Sequence, residues 1–260
     1  CDEAIERGRP YARTGPSVFL HEANVLFDTP EEAKQQLTES RISKVDAAFY
    51  SHWHPDHTMG RRVWESHHEC ISFTIKDKTT VYIPENVKPS FEERLDNWGH
   101  LKYLESSGYI EVKVIKDRQP IVIGDYEITP IKLAEDYVSA FWIREEDKTT
   151  LLVMDEHMGW APDVEFMSPD LAILPMGILT ICPWTKRRLV PEDHPLMKFE
   201  ASFQDTLELI QILKPGKVVL LHIEESAQIS FEKGKELSEM TSNELNVRVD
   251  FAFDQMKIDF

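Results

Sequence analysis

Apolar and polar positions alternate in short runs along the first fifty residues, a pattern typical of strands separated by turns. Two strands are predicted at residues 17–22 and 24–28, and a third at 45–50. Between them, Thr29 has the features of a helix N-cap, because Pro30 follows at the first helical position. This pattern predicts a helix that ends near Ser40.

In the middle of the chain, the sequence pattern predicts two helical segments with a strand between them, followed by four more strands. A helix is expected at residues 58–64, a strand at 80–84, and a helical segment at 89–105 that is interrupted near Gly99. Polar turns then separate four strands that form an antiparallel pattern, at residues 109–116, 120–123, 126–133 and 138–144.

Three mostly apolar runs in the last part of the chain predict buried strands, at residues 149–154, 171–175 and 217–221. A helix at 203–213 places Leu207, Ile210 and Leu213 on one face. A polar helix is expected at 231–245, followed by a terminal hairpin of residues 247–253 and 256–260. Strands and helices therefore mix throughout, with helices available to cover the outer faces of paired sheets.

The segment Ser51-His52-Trp53-His54-Pro55-Asp56-His57 places four metal-binding side chains directly after a predicted buried strand. In an extended loop His52 and His54 project the same way and can bind one ion. Asp56 and His57 follow Pro55, which redirects the chain, so they can serve a second ion. Imidazole and carboxylate ligands together suit zinc, manganese or iron. The alternative is a polar loop with ordinary surface histidines.

This motif resembles the signature of the metallo-β-lactamase superfamily of metallohydrolases. The resemblance implies an α+β fold, a four-layer αββα sandwich with a two-metal site at one edge of its sheets, formed by one domain over residues 1–260. Within the superfamily, the chain is more similar to phosphoribosyl cyclic phosphodiesterases and tRNA 3′-processing nucleases. The segments that carry this likeness are 1–4, 17–28, the metal motif, 126–155 and 200–222. The first strand of that family should precede Cys1, so we expect it to be missing here.

Two further ligand-type residues follow apolar strands, Asp155 after residues 149–154 and His222 after residues 217–221. Taken alone, each fits a polar residue in a turn. The resemblance implies that Asp155 bridges two metal ions and that His222 binds the second one. A bridging carboxylate holds two cations roughly 3.5–4 Å apart, and a water between them loses a proton and becomes the nucleophile.

Several histidines of the relatives are carboxylates in this chain. Glu135 falls where the relatives have the third ligand of the first metal, so it is either a ligand that favours manganese or a solvated loop residue. Glu200 falls where they have a histidine that acts as an acid or contacts phosphate. The alternative for Glu200 is an exposed carboxylate near a helix N-terminus.

Asp56, which is also a candidate ligand, His194 and Glu200 are the candidate catalytic residues. Candidate substrate contacts comprise His157 and the basic triplet Lys186, Arg187 and Arg188. Arginine can hold a phosphate through two hydrogen bonds at once. The triplet also fits an ordinary solvated loop.

Composition narrows the class of substrate and partner. The 46 acidic and 29 basic residues give a net charge of −17, which repels nucleic acid, so a small-molecule substrate is expected and a large nucleic acid is not.

No apolar stretch approaches the roughly 20 residues that a membrane helix needs. Three cysteines without paired spacing indicate a reducing, cytoplasmic compartment; a secreted protein with one disulfide is the alternative. Formation of a homodimer is left open.

We therefore predict a binuclear metal-dependent hydrolase with two divalent ions, zinc or manganese, with iron as a third candidate. Its expected substrate is a small or cyclic phosphodiester. One alternative is a non-catalytic metal-binding member of the family with a sensor or assembly role, because two functional histidines are replaced. Another is a hydrolase of esters, thioesters or lactams, since the added carboxylates favour neutral substrates.

Overall fold

The computed structural model describes residues 2–66, 70–71, 74–75 and 77–259. Cys1, in the first segment of family likeness, and Phe260, at the end of the predicted terminal hairpin, lie outside the described residues.

Helices and strands mix along the whole chain, as the apolar pattern predicts. The α-helices are α1 Asp2–Arg7, α2 Ala33–Glu39, α3 Pro55–Thr58, α4 Val63–Ser66, α5 Lys88–Glu93, α6 Asn97–Ser106, α7 Phe203–Leu213 and α8 Phe231–Leu245. The strands are β1 Val18–Leu20, β2 Val25–Phe27, β3 Ala47–Phe49, β4 Cys70–Ile71, β5 Thr74–Ile75, β6 Thr79–Pro84, β7 Ile110–Ile115, β8 Ile121–Ile123, β9 Tyr126–Lys132, β10 Ser139–Glu145, β11 Lys148–Leu152, β12 Leu171–Pro175, β13 Lys217–Leu221 and β14 Arg248–Phe251. Within the described ranges, no helix combines the length and apolarity needed to cross a bilayer.

The chain forms two compact units. The N-terminal unit comprises Thr14–Lys132 and Asp136–Ala140, and the C-terminal unit comprises Leu133–Glu135, Phe141–Phe260 and the residues up to Arg13. The prediction of one domain over residues 1–260 stays a prediction.

A five-stranded sheet organises the N-terminal unit, in the order β1-β2-β3-β6-β7. Strands β1 and β2 are antiparallel, as their short predicted turn requires, and the other neighbours are parallel. The predicted antiparallel pattern is therefore wrong for β7, which pairs in parallel with β6. Helices α5 and α6 supply the long crossover that a parallel connection needs, a feature that turn signals alone do not reveal.

A buried hydrogen-bond network holds β2, β3 and α4 together. The hydroxyl oxygens of Thr29 and Tyr50 lie 2.7 Å apart, and Trp64 Nε1 donates to the Tyr50 hydroxyl at 3.1 Å. Burial raises the pKa of Tyr50 to about 12, so the phenol stays neutral. The prediction that Thr29 caps a helix is wrong, because its hydroxyl serves this network and α2 begins at Ala33.

Two other predicted helices have different boundaries. The helix predicted at 58–64 begins earlier, at Pro55, and passes through a 3-10 segment, Met59–Arg62, before α4. The break predicted near Gly99 lies instead at Leu95 and Asp96, which both have left-handed backbone conformations. Gly99 is inside α6, where an added Cβ would meet the carboxylate of Asp96 at 2.1 Å.

The C-terminal unit contains strands in the order β14-β13-β12-β11-β10, most of β10 lying in this unit. Strands β10 and β11 are antiparallel, and the pairs from β11 to β14 are parallel. The predicted terminal hairpin is wrong: β14 pairs in parallel with β13, and residues 252–259 contain no strand. The long helix α8 between β13 and β14 makes this parallel connection.

Helix α7 has the amphipathic structure that its sequence predicts. Ser202 caps it through a reciprocal pair of hydrogen bonds with Asp205, and Leu207, Ile210 and Leu213 are buried. It ends at Lys214 in a left-handed conformation.

We predict that Ile210→Ala in α7 lowers the free energy of unfolding by about 2–5 kcal/mol, because it leaves a cavity in the core. Ile212→Ala removes the same atoms from a side chain that is 51% exposed, so its cost should stay below about 0.5 kcal/mol. Urea denaturation of both variants measures the difference. Equal losses for the two isoleucines would contradict the assigned face.

Candidate metal centre

The metal motif begins where β3 ends, beside the end of β2. Strands β2 and β3 are parallel, so Asp28 after β2 and Ser51 after β3 meet at one edge of the sheet. The Ser51 N–H donates to Asp28 Oδ1 at 2.8 Å. His54 then occupies the N-cap of α3 with Pro55 at its first position, and the Thr29 N–H donates to the His57 carbonyl at 2.8 Å.

Three histidines of the motif form a compact cluster in the N-terminal unit. The ring centroids of His52 and His57 are 4.0 Å apart, and those of His52 and His54 are 4.7 Å apart. His52 and His57 are fully buried and His54 is half-buried. Asp56 Oδ2 lies 3.4 Å from His57 Nε2. The structure thus brings these four predicted ligands together.

Asp28 is the residue of this site that sequence reasoning missed. Its carboxylate is buried, accepts a hydrogen bond from Ser51 Oγ at 2.5 Å and lies 2.7 Å from His57 Nδ1. Ser51 Oγ in turn lies 2.9 Å from His52 Nδ1. The available signal was an aspartate at the end of an apolar strand, the same signal that selected Asp155.

The surroundings of His57 favour its protonated form in the metal-free protein. Burial alone lowers the pKa of His57, but hydrogen bonds to Asp28 and Asp56 raise it to about 9. A metal ligand must be a neutral imidazole, so metal binding releases this proton. Metal affinity should therefore increase as the pH rises toward 9.

The donor set fits a divalent metal ion. Both Nδ1 contacts, to Asp28 and to Ser51, orient the imidazoles in the way that carboxylate partners orient metal-ligating histidines. Nε2 is then the nitrogen of His52 and His57 that would bind the ion. Clustered imidazoles with a nearby carboxylate suit zinc, manganese or iron.

Asp28, His52 and His57 each place a possible ligand atom within 4.8 Å of the other two. We assign Asp28 as the residue that orients the histidines, because its carboxylate already accepts two hydrogen bonds from Ser51. Its own contact with His57 uses Nδ1 and leaves Nε2 for the metal.

Close packing and hydrogen bonds to backbone carbonyls hold the metal motif and the residues after it in place. Gly60 allows close approach to Pro30, whose carbonyl oxygen would lie 1.8 Å from an added Cβ. The buried Arg61 donates to the carbonyls of Thr58 and Leu95 at 2.9 and 3.2 Å. Asn97, also buried, donates to the Trp53 carbonyl at 3.2 Å. The motif is therefore a rigid loop.

In the C-terminal unit, the structure brings Asp155 and His222 together. His222 Nε2 lies 3.5 Å from Asp155 Oδ2, and both side chains are largely buried. His222 Nδ1 lies 3.2 Å from Glu224 Oε1. His222 has a left-handed backbone conformation directly after β13. The prediction that this pair shares one pocket with His52 stays a prediction.

Two residues after Asp155 are buried. Glu156 is 4% exposed and its backbone is left-handed. His157, a predicted substrate contact, is 3% exposed, and its Nε2 lies 2.8 Å from Thr206 Oγ1. Burial lowers the pKa of His157 and Asp155 partly offsets this, so the neutral imidazole is favoured.

The remaining candidates occupy more exposed positions. Glu135 is exposed in the turn after β9. Glu200 is half-buried and lies two residues before Ser202, the N-cap of α7, so it is outside the first helical turn. His194 caps a 3-10 helix, Pro195–Lys198, and its Nδ1 accepts a hydrogen bond from the Leu196 N–H at 3.3 Å.

The basic triplet lies in an irregular loop of the C-terminal unit. Lys186, Arg187 and Arg188 are all exposed. Arg188 forms an ion pair with Glu192 at 2.6 Å. Binding of a phosphate by Arg188 would have to compete with this carboxylate.

Buried histidines oriented through Nδ1, one by a carboxylate and one by a serine hydroxyl, are typical of metal-binding proteins. The family model described as the beta-lactamase superfamily domain matches residues 23–223 of the 260-residue chain. The chain therefore belongs to the beta-lactamase superfamily. Membership confirms the predicted superfamily and supports a metal-dependent hydrolase that binds divalent ions.

Solved structures share the fold at low sequence identity. A diphosphatase of the PhnP family is 18% identical with a TM-score of 0.65, covering 99% of this chain and 89% of its own. The metallo-beta-lactamase fold protein YhfI from Bacillus subtilis is 13% identical with a TM-score of 0.64, covering 94% and 90%. Human tRNase Z, short form, is 16% identical with a TM-score of 0.63, covering 94% and 92%.

These likenesses confirm the predicted α+β sandwich of the metallo-β-lactamase type. They include a tRNase Z and a PhnP-family protein, from the branch that the sequence resembles. A comparison with curated proteins found no match.

We predict that Asp28→Asn weakens metal binding about 10- to 100-fold, because the amide cannot orient and polarise His57 as the carboxylate does. Titration calorimetry with zinc measures the affinity. Asp125→Asn, in the exposed turn between β8 and β9, is the matched control and should bind zinc as the wild type does. Unchanged affinity in Asp28→Asn would refute the orienting role.

Proposed function

We propose that the chain is a phosphodiesterase that cleaves a small or cyclic phosphodiester with the help of divalent metal ions. The observation that carries this proposal is the compact cluster of His52, His54 and His57, in which His52 and His57 are buried and Asp28 orients His57. Maintaining such a polar cluster in a core costs free energy unless it has a partner to bind. Membership of a superfamily of metal-dependent hydrolases supplies the reaction class.

We propose that two ions are bound. His52, His54, Asp56 and His57 would supply the ligands from the N-terminal unit, and Asp155 and His222 those from the C-terminal unit. This assignment is supported by the short contacts inside each group and by the family motif. Zinc or manganese suits these donors, with iron as the further candidate.

Divalent ions in such a site, when bound, supply a nucleophile at neutral pH and polarise the substrate phosphoryl group. The chain itself must keep its imidazole ligands neutral and all of its ligands fixed. Asp28 fixes the His57 tautomer through Nδ1, and Ser51 does the same for His52. Asp56, near His57 and partly exposed, is the carboxylate that we propose to take up the proton of the attacking water.

Protonation of the leaving oxygen needs a separate acid. His194 and Glu200 are the candidates, and both are half-buried near the start of α7. An acid at this step contributes about 10²–10⁴-fold to the rate. Histidine is the side chain that most often transfers protons in enzymes, so we propose His194 as the donor.

The proposed substrate class follows from chemistry and charge. The similar structures include a diphosphatase and a tRNase Z, by their names proteins that act on phosphate bonds. A net charge of −17 disfavours a large nucleic acid here, because every additional phosphate adds repulsion. A substrate with one or two phosphate groups keeps that repulsion small.

A hydrolase of neutral esters, thioesters or lactams is the second candidate. His222 lies between two carboxylates, Asp155 and Glu224, which make that half of the site negative. Two bound divalent ions would offset this negative charge and reduce the repulsion of an anionic phosphodiester. We therefore prefer the phosphodiesterase to the hydrolase of neutral substrates. Parallel assays with bis(p-nitrophenyl) phosphate and p-nitrophenyl acetate compare the two.

We predict close to two ions per chain and turnover of bis(p-nitrophenyl) phosphate by the wild type. Asp155→Ala should lose at least one ion and more than about 100-fold in turnover, because even indirect supports of metal ligands cost 10- to 100-fold. Elemental analysis and a colour assay measure both. The control, Asp147→Asn in the exposed β10–β11 turn, should match the wild type. Full metal content and activity in Asp155→Ala would show that it is not a bridge.

The role of Glu135 is tested by Glu135→Ala. We propose Glu135 as a further ligand of the ion that His52 and His54 bind, so the variant should lose zinc or manganese affinity, because that ion loses one donor. Glu135→His should restore binding and shift the preference toward zinc. Elemental analysis after dialysis against limiting metal measures this. Unaltered stoichiometry and affinity in Glu135→Ala would refute the ligand role.

A further inference from the structure

The residue between the two leading histidines is an aromatic side chain that packs against the core and stays partly exposed. Trp53 is half-buried, and its indole ring lies 4.4 Å from the His54 imidazole, measured between centroids. Its carbonyl accepts hydrogen bonds from Asn97 Nδ2 and Thr58 Oγ1, both at 3.2 Å. The backbone of Trp53 is therefore anchored, and its indole lies beside a proposed metal ligand.

A second aromatic ring stands beside the same histidine. Tyr137 is half-buried, and its ring centroid lies 6.0 Å from that of His54 and 6.4 Å from that of Trp53. The Ser139 N–H donates to the Ser51 carbonyl at 2.9 Å, which ties the turn that carries Tyr137 to the start of the metal loop. The two rings meet at an interplanar angle of 60°.

A cation completes the group. The Arg94 guanidinium carbon lies 5.3 Å from the centre of the Trp53 ring, and Arg94 is exposed. Among the residues that the structure describes, it forms no ion pair, although the chain carries 46 acidic residues. An arginine on an indole face attracts an anion and strengthens stacking on that ring.

We propose that Trp53, Tyr137 and Arg94 form a subsite for a planar aromatic group attached to the phosphate of the substrate. The ring would stack on Trp53 and meet Tyr137 at a steep angle, because the two rings are inclined by 60°, and Arg94 would contact the phosphate or an acceptor on the ring. A nucleobase and a simple aryl group share this chemistry. The inference rests on the proposed phosphodiesterase function, because it assumes that the phosphate sits at the histidine cluster.

Binding of three phosphates to the metal-loaded protein tests the subsite: adenosine 5′-monophosphate, phenyl phosphate and ribose 5-phosphate. The first two carry a ring and the third does not. Stacking on protein aromatics is strong enough that both should bind about 10-fold tighter than ribose 5-phosphate. Equal affinity for both ring-bearing ligands indicates an aryl subsite, and a clear preference for the nucleotide indicates a nucleobase subsite.

Variants separate stacking from support of the loop. Trp53→Leu and Tyr137→Leu should abolish the preference for a ring and leave ribose 5-phosphate affinity within about twofold, whereas Trp53→Phe should keep most of the preference. Arg94→Gln should weaken the ring-bearing anions. Tyr103→Leu, at an exposed tyrosine of α6, is the control and should change nothing. Metal content is measured for each variant, and Tyr137 lies outside the ligand loop.

Equal binding of all three ligands by the wild type would overturn the subsite, as would an equal loss for all three in Tyr137→Leu. Hydrolysis of bis(p-nitrophenyl) phosphate is scored separately. A protein that prefers rings but cleaves no phosphodiester would contradict the proposed function and keep the subsite. A protein that cleaves phosphodiesters without a ring preference would contradict the subsite alone.

Discussion

One buried carboxylate determines the geometry of the histidine cluster. Asp28 accepts hydrogen bonds from both the backbone and the side chain of Ser51 and contacts His57 Nδ1, so β2, the metal loop and α3 meet at a single group. A buried carboxylate without such partners would cost several kcal/mol. The same contacts that stabilise Asp28 also fix which nitrogen of His57 faces a metal. Stability and metal binding therefore depend on one set of hydrogen bonds.

Backbone strain accompanies the functional residues in both units. Asp28 and His222 both have left-handed conformations directly after apolar strands, although neither is glycine. Each such conformation costs about 1 kcal/mol or more and persists only where the surroundings enforce it. For Asp28 the surroundings are visible: its N–H donates to the Phe49 carbonyl while its carboxylate holds Ser51. The sharp turn after β2 thus places the Asp28 carboxylate against Ser51 and His57.

The sequence was most informative where one residue pattern carries one meaning. Apolar runs that lead into ligand-type residues located β3, β11 and β13, and the periodicity of α7 located its buried face. Prediction from the sequence failed where contacts with residues far away in the chain determine the structure. Thr29 has the features of an N-cap, but its hydroxyl forms a hydrogen bond with the Tyr50 hydroxyl instead. The parallel pairing of β7 and β14 depends on crossovers, and the role of Asp28 depends on a contact with His57, 29 residues away.

The orientation of the imidazoles by Asp28 and Ser51 can be measured directly by ¹⁵N NMR of histidine-labelled protein, before and after zinc is added. The structure predicts that Nδ1 of His57 keeps its proton against Asp28 and that Nε2 of His52 and His57 shifts on zinc binding. In the metal-free protein, His57 should titrate with a pKa of about 9. Coordination through Nδ1, or no shift of either ring on adding zinc, would contradict the account.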